Sequence, residues 1–278
     1  MTRVCVTGAA GRPGRAVVAD LLEHGHQVQA TDLVAAGGLG TPLLRADLTD
    51  YGQAAEALEG CDAVIHLANI PAPGLRTPAV TFNANITMNY NVFSAAAQLR
   101  LGQVVWASSE TTLGLPFDVP PRYAPVDEEH YPLPCSSYAL SKVASETIAG
   151  HISGWSGIPF VALRFSNILG PADYPDFRGY WDDALLRKWN LWGYIDERDA
   201  AAACRLALGA PLSGSTSFVI AAADTVMTRP SLDLMREVFP GVPAASEISG
   251  NASLLSSGRA RRELGFEPAH SWRDHVTA

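Results

Sequence analysis

Apolar residues fall in short blocks separated by glycine turns and by stretches in which apolar positions recur at helical spacing. The first block, residues 3–6, ends in Thr7-Gly8, and Val17, Val18, Leu21 and Leu22 then follow at helical spacing up to about residue 24, which predicts strand, glycine turn, helix. A second strand over 27–31 stops at Asp32, a third near Leu43 and Leu44 stops at Asp47, and a fourth over 63–67 follows a helix over 50–58. A long helix over 80–101 precedes a fifth strand over 104–107, and a helix over 137–153 precedes a sixth over 160–163. Strands apolar on both faces that alternate with helices predict an α/β fold, a doubly wound parallel sheet with helices on each side.

The pattern changes after Gly170-Pro171. Pro, Asp, Tyr, Phe, Gly and Trp crowd together through Trp192, which predicts irregular structure rich in aromatic surface, suited to covering a substrate. A helix over 198–208, a seventh strand over 218–221 and tail helices from Pro230 onward complete the chain. The expected organisation is a core over 1–170, completed by about 195–222, with 171–194 and 223–278 forming a small interleaved C-terminal substrate lobe.

Composition narrows the class. Of 278 residues 47% are apolar and 17% charged, which excludes a disordered or coiled-coil chain. A formal charge of -8 without a basic cluster makes nucleic acid an unexpected partner. The four cysteines form no C-x-x-C pair and have no zinc-type histidine spacing, so reduced thiols and no metal are expected. The chain enters an apolar strand directly and no run approaches the ~18 residues that cross a bilayer, so a cytoplasmic protein with no membrane partner is expected. Among 20 basic residues only Lys142 and Lys188 are lysines, so a lysine at a chemically useful spacing carries more weight than usual.

Three motifs carry chemistry. The string Thr7-Gly8-Ala9-Ala10-Gly11-Arg12-Pro13-Gly14 lies between the first strand and the first helix, where glycines permit a tight turn and close approach of backbone N–H groups to a pyrophosphate. Asp32, at the end of the second strand, suits the adenosine ribose hydroxyls and opposes a 2'-phosphate, so the expected cofactor is NAD. Arg12 works the other way, since a guanidinium in the loop reaches toward such a phosphate. Asp47-Leu48 has the type to bond an adenine amino group, and a helix N-cap accounts for Asp47 equally well. In the second motif, Tyr138-Ala139-Leu140-Ser141-Lys142, phenol and ammonium share a helix face, and the charge favours the ionised phenol. The third, Ser108-Ser109, ends the fifth strand at the carboxyl edge where ligands of parallel sheets bind; one hydroxyl there orients a substrate oxygen, or caps a turn.

Together these motifs resemble the extended short-chain dehydrogenase/reductase family, the NAD-dependent epimerase/dehydratase group. His66-Leu67-Ala68 is similar to its H-L-A-A, residues 163–171 to its L-R-x-x-N-x-x-G-P, residues 194–199 to its F-I-x-V-x-D, and residues 260–268 to its A-x-x-x-L-G-F-x-P ending. The resemblance implies a Rossmann-type core that holds NAD along Gly8, Ala10, Gly11, Arg12, Pro13, Gly14, Asp32, Asp47, Leu48, Leu67, Ala68, Tyr138 and Lys142. It implies Tyr138 as the acid/base, Lys142 lowering its pKa and holding the nicotinamide ribose, and Ser109 orienting the substrate. Asn85 falls where the family places an active-site Asn, a bond to backbone inside its own helix being the alternative account, and Asn167 would touch substrate. The acidic pair of sugar 4,6-dehydratases is half present, as Glu110 followed by Thr111, which disfavours that reaction. Size and the Ser108-Ser109-x-x-Thr112-x-Gly114 pattern are most similar to uronate dehydrogenases, so by analogy Arg178 would bind a carboxylate, unless it is a surface arginine stacked on an aromatic ring.

The leading expectation is an NAD-dependent oxidoreductase acting on a small sugar, sugar acid or polyol, as a homodimer paired through the helices over 80–101 and 137–153. Limited length after Pro171 argues against a nucleotide-sized substrate, and the aromatic segment, with Arg178 and Arg187, offers stacking and charge to a sugar acid. The alternatives are a nucleotide-sugar epimerase with tightly bound NAD and a non-catalytic NAD-binding protein.

Overall fold

The structure, a computed structural model, describes residues 2–276. These divide into two units, the first built from residues 2–108, 136–163 and 201–217, the second from 109–135, 164–200 and 218–276.

Strands β1 (Arg3–Thr7), β2 (Gln27–Asp32), β3 (Leu43–Arg45), β4 (Ala63–His66), β5 (Gln103–Ser109) and β6 (Phe160–Phe165) alternate with helices α1 (Arg12–Glu23), α2 (Tyr51–Leu58), α3 (Pro78–Leu99) and α4 (Ser137–Ser156). They are followed by β7 (Ile168–Leu169), β8 (Ile195–Asp196), α5 (Glu197–Gly209), β9 (Ser215–Ile220), α6 (Ser231–Val238) and α7 (Gly258–Leu264). The sheet has seven strands in the order β3-β2-β1-β4-β5-β6-β9, and β1 pairs in parallel with both β2 and β4. The order turns back at β1, so the carboxyl ends of β1 and β4 flank the switch point where ligands of such sheets bind.

The strands are apolar on both faces because both are covered. On one face Cys5, Val64, Val104 and Ala162 pack under α2, α3 and α4, with Phe93 edge-on to Trp106 and to Phe160 at centroid distances of 5.2 Å each. On the other side α1 and α5 are joined by an ion pair, Arg205 Nε to Asp20 Oδ2 at 2.8 Å. Capping sets the helix starts: Asp50 accepts the Gln53 N–H at 2.9 Å before α2, and Ser136 accepts the Ala139 N–H at 3.1 Å before α4.

The second unit has its own core, in which Tyr174, Phe177, Leu191, Trp192, Tyr194 and Trp272 are buried. The aromatic surface expected between Tyr174 and Trp192 is therefore largely interior. These rings pack on one another, Phe177 against Tyr194 and Trp272 at 5.6 and 5.8 Å between centroids, because the tail residue Trp272 folds back onto the segment. The small parallel pair β7–β8 was not legible in the sequence, since two-residue strands carry no periodicity.

Candidate active site

In the first unit the glycine loop joins β1 to α1 as a cradle closed by backbone atoms. Gly8 has φ +69°, and a Cβ there would lie 2.7 Å from the Ala68 N; a Cβ on Gly14 would lie 2.1 Å from the Gly8 O. Gly11 is the N-cap of α1, with no side-chain cap, and no acidic residue follows in the first turn, so no carboxylate of the helix opposes an anion at this end. Asp32 Oδ2 accepts the Ala10 N–H at 2.9 Å, which ties the end of β2 to the loop and leaves carboxylate lone pairs for hydroxyl donors. The donor set fits a dinucleotide: amide N–H groups for the pyrophosphate and a carboxylate for a ribose diol. Arg12 and Pro13 lie on the rim of the loop, Arg12 exposed and Pro13 half-buried.

Asp47 is not an N-cap. Its carboxylate accepts from the Thr49 N–H at 2.9 Å and the Thr49 hydroxyl at 2.6 Å, which hold its pKa below the ordinary carboxylate value, while Asp50 caps α2. Leu48 is buried and its carbonyl accepts from Asn91 at 3.0 Å. Leu67 and Ala68 follow β4 directly, with both N–H groups donated to Thr7 Oγ1 at 3.2 and 3.3 Å.

Tyr138 and Lys142 lie one turn apart on α4, both buried, with Lys142 Nζ 5.7 Å from the Tyr138 ring centroid and 5.9 Å from that of Trp106. The ammonium donates to the Ala107 O at 2.7 Å. Burial pulls the Lys142 pKa down to about 7, against the opposing pull of Glu146. Asn85 is buried with both amide atoms spent on one residue: Oδ1 accepts the Ile70 N–H at 2.8 Å and Nδ2 donates to the Ile70 O at 3.1 Å. That pairing holds the chain after β4 and fits a positioning role.

A polar chain unforeseen at the level of residues runs through the same unit. His66 Nε2 donates to Asn89 Oδ1 at 2.9 Å, since an amide oxygen only accepts, and its Nδ1 then accepts the Thr7 hydroxyl at 2.7 Å. Asn89 Nδ2 donates to Ser145 Oγ at 2.7 Å, and Ser145 to the Ser141 O at 2.8 Å. Burial holds the His66 pKa down to about 3, so the ring is neutral and the chain links the glycine loop to α4 without adding charge.

In the second unit Ser109 caps a short 3₁₀ turn, Glu110–Leu113, by accepting from the Thr111 N–H at 3.2 Å. Beside it Glu110 is buried, with Asn190 Nδ2 at 3.3 Å from Oε1, and burial pushes its pKa up to about 7 against Ser166, Asn190 and Arg187. Arg187 is buried too, its guanidinium over the rings of Tyr180 and Trp189 at 5.3 and 5.0 Å and its Nη2 donated to the Gly193 O at 3.0 Å. It is a buried arginine facing Glu110, not an exposed one. Arg178 is exposed, and Asn167 is half-buried with its carbonyl accepting the Ile195 N–H at 3.0 Å.

The family model of the NAD dependent epimerase/dehydratase family matches residues 4–221. The chain belongs to this family. It is 32% identical over 177 residues to an L-arabinose 1-dehydrogenase (NAD(P)(+)) of Haloferax volcanii, covering 61% of this chain and 68% of that one. Its fold matches a crystal structure of a UDP-galactose 4-epimerase with a TM-score of 0.72 at 26% identity, over 98% of this chain and 95% of that chain. A mutated uronate dehydrogenase matches with a TM-score of 0.72 at 24% identity, over 99% and 85%. This member of an NAD-dependent family thus has the Rossmann-type sheet expected of it. The 95% coverage of an epimerase chain also removes the argument from length, because the two proteins are nearly the same size.

The cradle gives a direct test of cofactor choice. NAD is expected to bind tighter than NADP by on the order of tenfold, because Asp32 opposes a 2'-phosphate. Asp32→Ala should narrow the gap in titration calorimetry, and equal or stronger NADP binding by the unaltered protein would contradict the assignment. Glu110 gives a pH test. A carboxyl whose folded pKa is raised from 4.5 to about 7 contributes stability that is present at low pH and lost as pH rises through about 7. Glu110→Gln should therefore gain thermal stability relative to the parent from about pH 5 to about pH 8, and a constant difference across that range would show that Glu110 is not desolvated.

Proposed function

We propose that the protein is an NAD-dependent dehydrogenase of a small sugar, sugar acid or polyol, with Tyr138 as the general base that takes the substrate hydroxyl proton. The observation that carries the reading is the buried Tyr138–Lys142 pair on α4, in the same unit as the glycine cradle. Lys142, fixed by the Ala107 O, places a positive charge beside the phenol and lowers the cost of ionising it. When bound, NAD supplies the hydride acceptor at its nicotinamide. Gly8, Ala10, Gly11, Arg12, Pro13, Gly14, Asp32, Asp47, Leu48, Leu67, Ala68, Tyr138 and Lys142 would hold it, Ser109 and Asn167 would orient the substrate, and Arg178 would meet a carboxylate. Asn85 supports the segment after β4. The 32% identity to a sugar dehydrogenase favours net oxidation.

One observation favours a second reading, a nucleotide-sugar epimerase: the near-complete coverage of the UDP-galactose 4-epimerase chain. Incubation with NAD and panels of free sugars, sugar acids and UDP-sugars separates the two, since a dehydrogenase accumulates reduced nicotinamide with product and an epimerase returns it oxidised.

The proposed protein is a cytoplasmic homodimer. Free thiols at all four cysteines suit a reducing compartment. Tyr90 on α3 and Leu140 and Trp155 on α4 are 51%, 47% and 71% exposed, an apolar face that a second copy would cover. Light scattering should report a dimer, and Trp155→Glu should weaken it.

A further inference from the structure

We propose that Glu146 is a positioning residue of the reaction, the counter-charge that keeps Lys142 protonated, and that Ser108 aims it. The inference rests on the roles proposed above for Tyr138 and Lys142.

Glu146 lies one turn beyond Lys142 on α4, so Tyr138, Lys142 and Glu146 share one helix face at successive four-residue steps. Ser108, buried near the end of β5, donates its hydroxyl to Glu146 Oε1 at 2.6 Å, a charge-assisted bond that fixes the carboxylate against the strand. Lys142 itself bonds a neutral carbonyl, Ala107 O, and faces the rings of Trp106 and Tyr138. Among the described residues, the titratable groups that interact with it are Tyr138 and Glu146 on its own helix and His66 at the end of β4. His66 is held neutral by burial, so it adds no repulsion, and an imidazole supplies no counter-charge to an ammonium in either state. A lysine 1% exposed among neutral groups is driven to lose its proton, and without that proton it no longer favours the phenolate. Glu146 opposes the loss, and its pull on Lys142 is the stabilising contribution set against burial. Ser108 thereby serves α4, while Ser109, the next residue, caps the following turn.

Because the chain has only two lysines, the side-chain resonances of Lys142 can be followed in the whole protein by isotope-labelled lysine NMR, with Lys188→Arg assigning the other signal. In Glu146→Gln the Lys142 titration midpoint is expected to fall by about one pH unit, and Ser108→Ala should move it the same way by less. If Glu146→Gln does not fold, Glu146→Asp, which withdraws the charge by one methylene, should also lower the midpoint. Midpoints unchanged in the folded variants would overturn the inference. The alkaline limb of the turnover profile should follow the midpoint downward. A midpoint that falls while the profile stays put would support Glu146 as the counter-charge and contradict the proposed role of Lys142, so the two claims fail separately.

Discussion

Replacing Tyr138 by phenylalanine is expected to lower turnover by about a hundred- to ten-thousand-fold, the usual worth of a positioned general acid or base, while NAD remains bound. The phenol is buried on α4 with the Lys142 ammonium on the same face, and the variant removes one oxygen without changing the ring's packing. Lys142 keeps its bond to the Ala107 O, and the glycine cradle is untouched. Single-turnover kinetics with calorimetric NAD binding measure both halves, and a variant that keeps more than about half of the parental turnover would remove Tyr138 from the chemistry.

Gly14→Ala should have the largest effect on cofactor binding. Its Cβ would stand 2.1 Å from the Gly8 O and 2.7 Å from the Ala9 Cα, and both are backbone atoms that cannot rotate away. The loop has to open, at a cost of roughly 1–3 kcal/mol for overpacking, and opening displaces the N–H groups that would face the pyrophosphate. NAD affinity should fall by about ten- to hundredfold. Thermal unfolding monitors the fold in parallel, and an unchanged affinity in the folded variant would mean that the cradle does not grip the dinucleotide.

The alternation of strands and helices along the chain and the glycine loop were legible because both rest on local signals. Apolar blocks punctuated by Gly8, Asp32 and Asp47 mark strand ends, and four-residue spacing alone places Tyr138 and Lys142 on one helix face. What the sequence hid depends on distant partners. Phe177 and Trp192 read as surface because they sit among Pro, Asp and Gly, yet Trp272 and Phe239 fold over them. Arg187 reads as an exposed charge because it stands in an irregular stretch of the chain, yet it faces Glu110 and lies over the rings of Tyr180 and Trp189. His66 and Asn89 are 23 residues apart, and nothing local predicts their bond. Glu146 had a usable signal, the four-residue step from Lys142, but its tie to Ser108 crosses 38 residues.

The most direct test of the proposed activity is the absorbance of reduced nicotinamide when the purified protein is given NAD and a panel of aldoses, uronic acids and polyols. Reduced cofactor should accumulate mole for mole with oxidised product for at least one of them, and Tyr138→Phe should abolish most of the signal. Conversion of a UDP-sugar to its epimer with no net reduced cofactor, and silence from every free sugar, sugar acid and polyol, would contradict the dehydrogenase account.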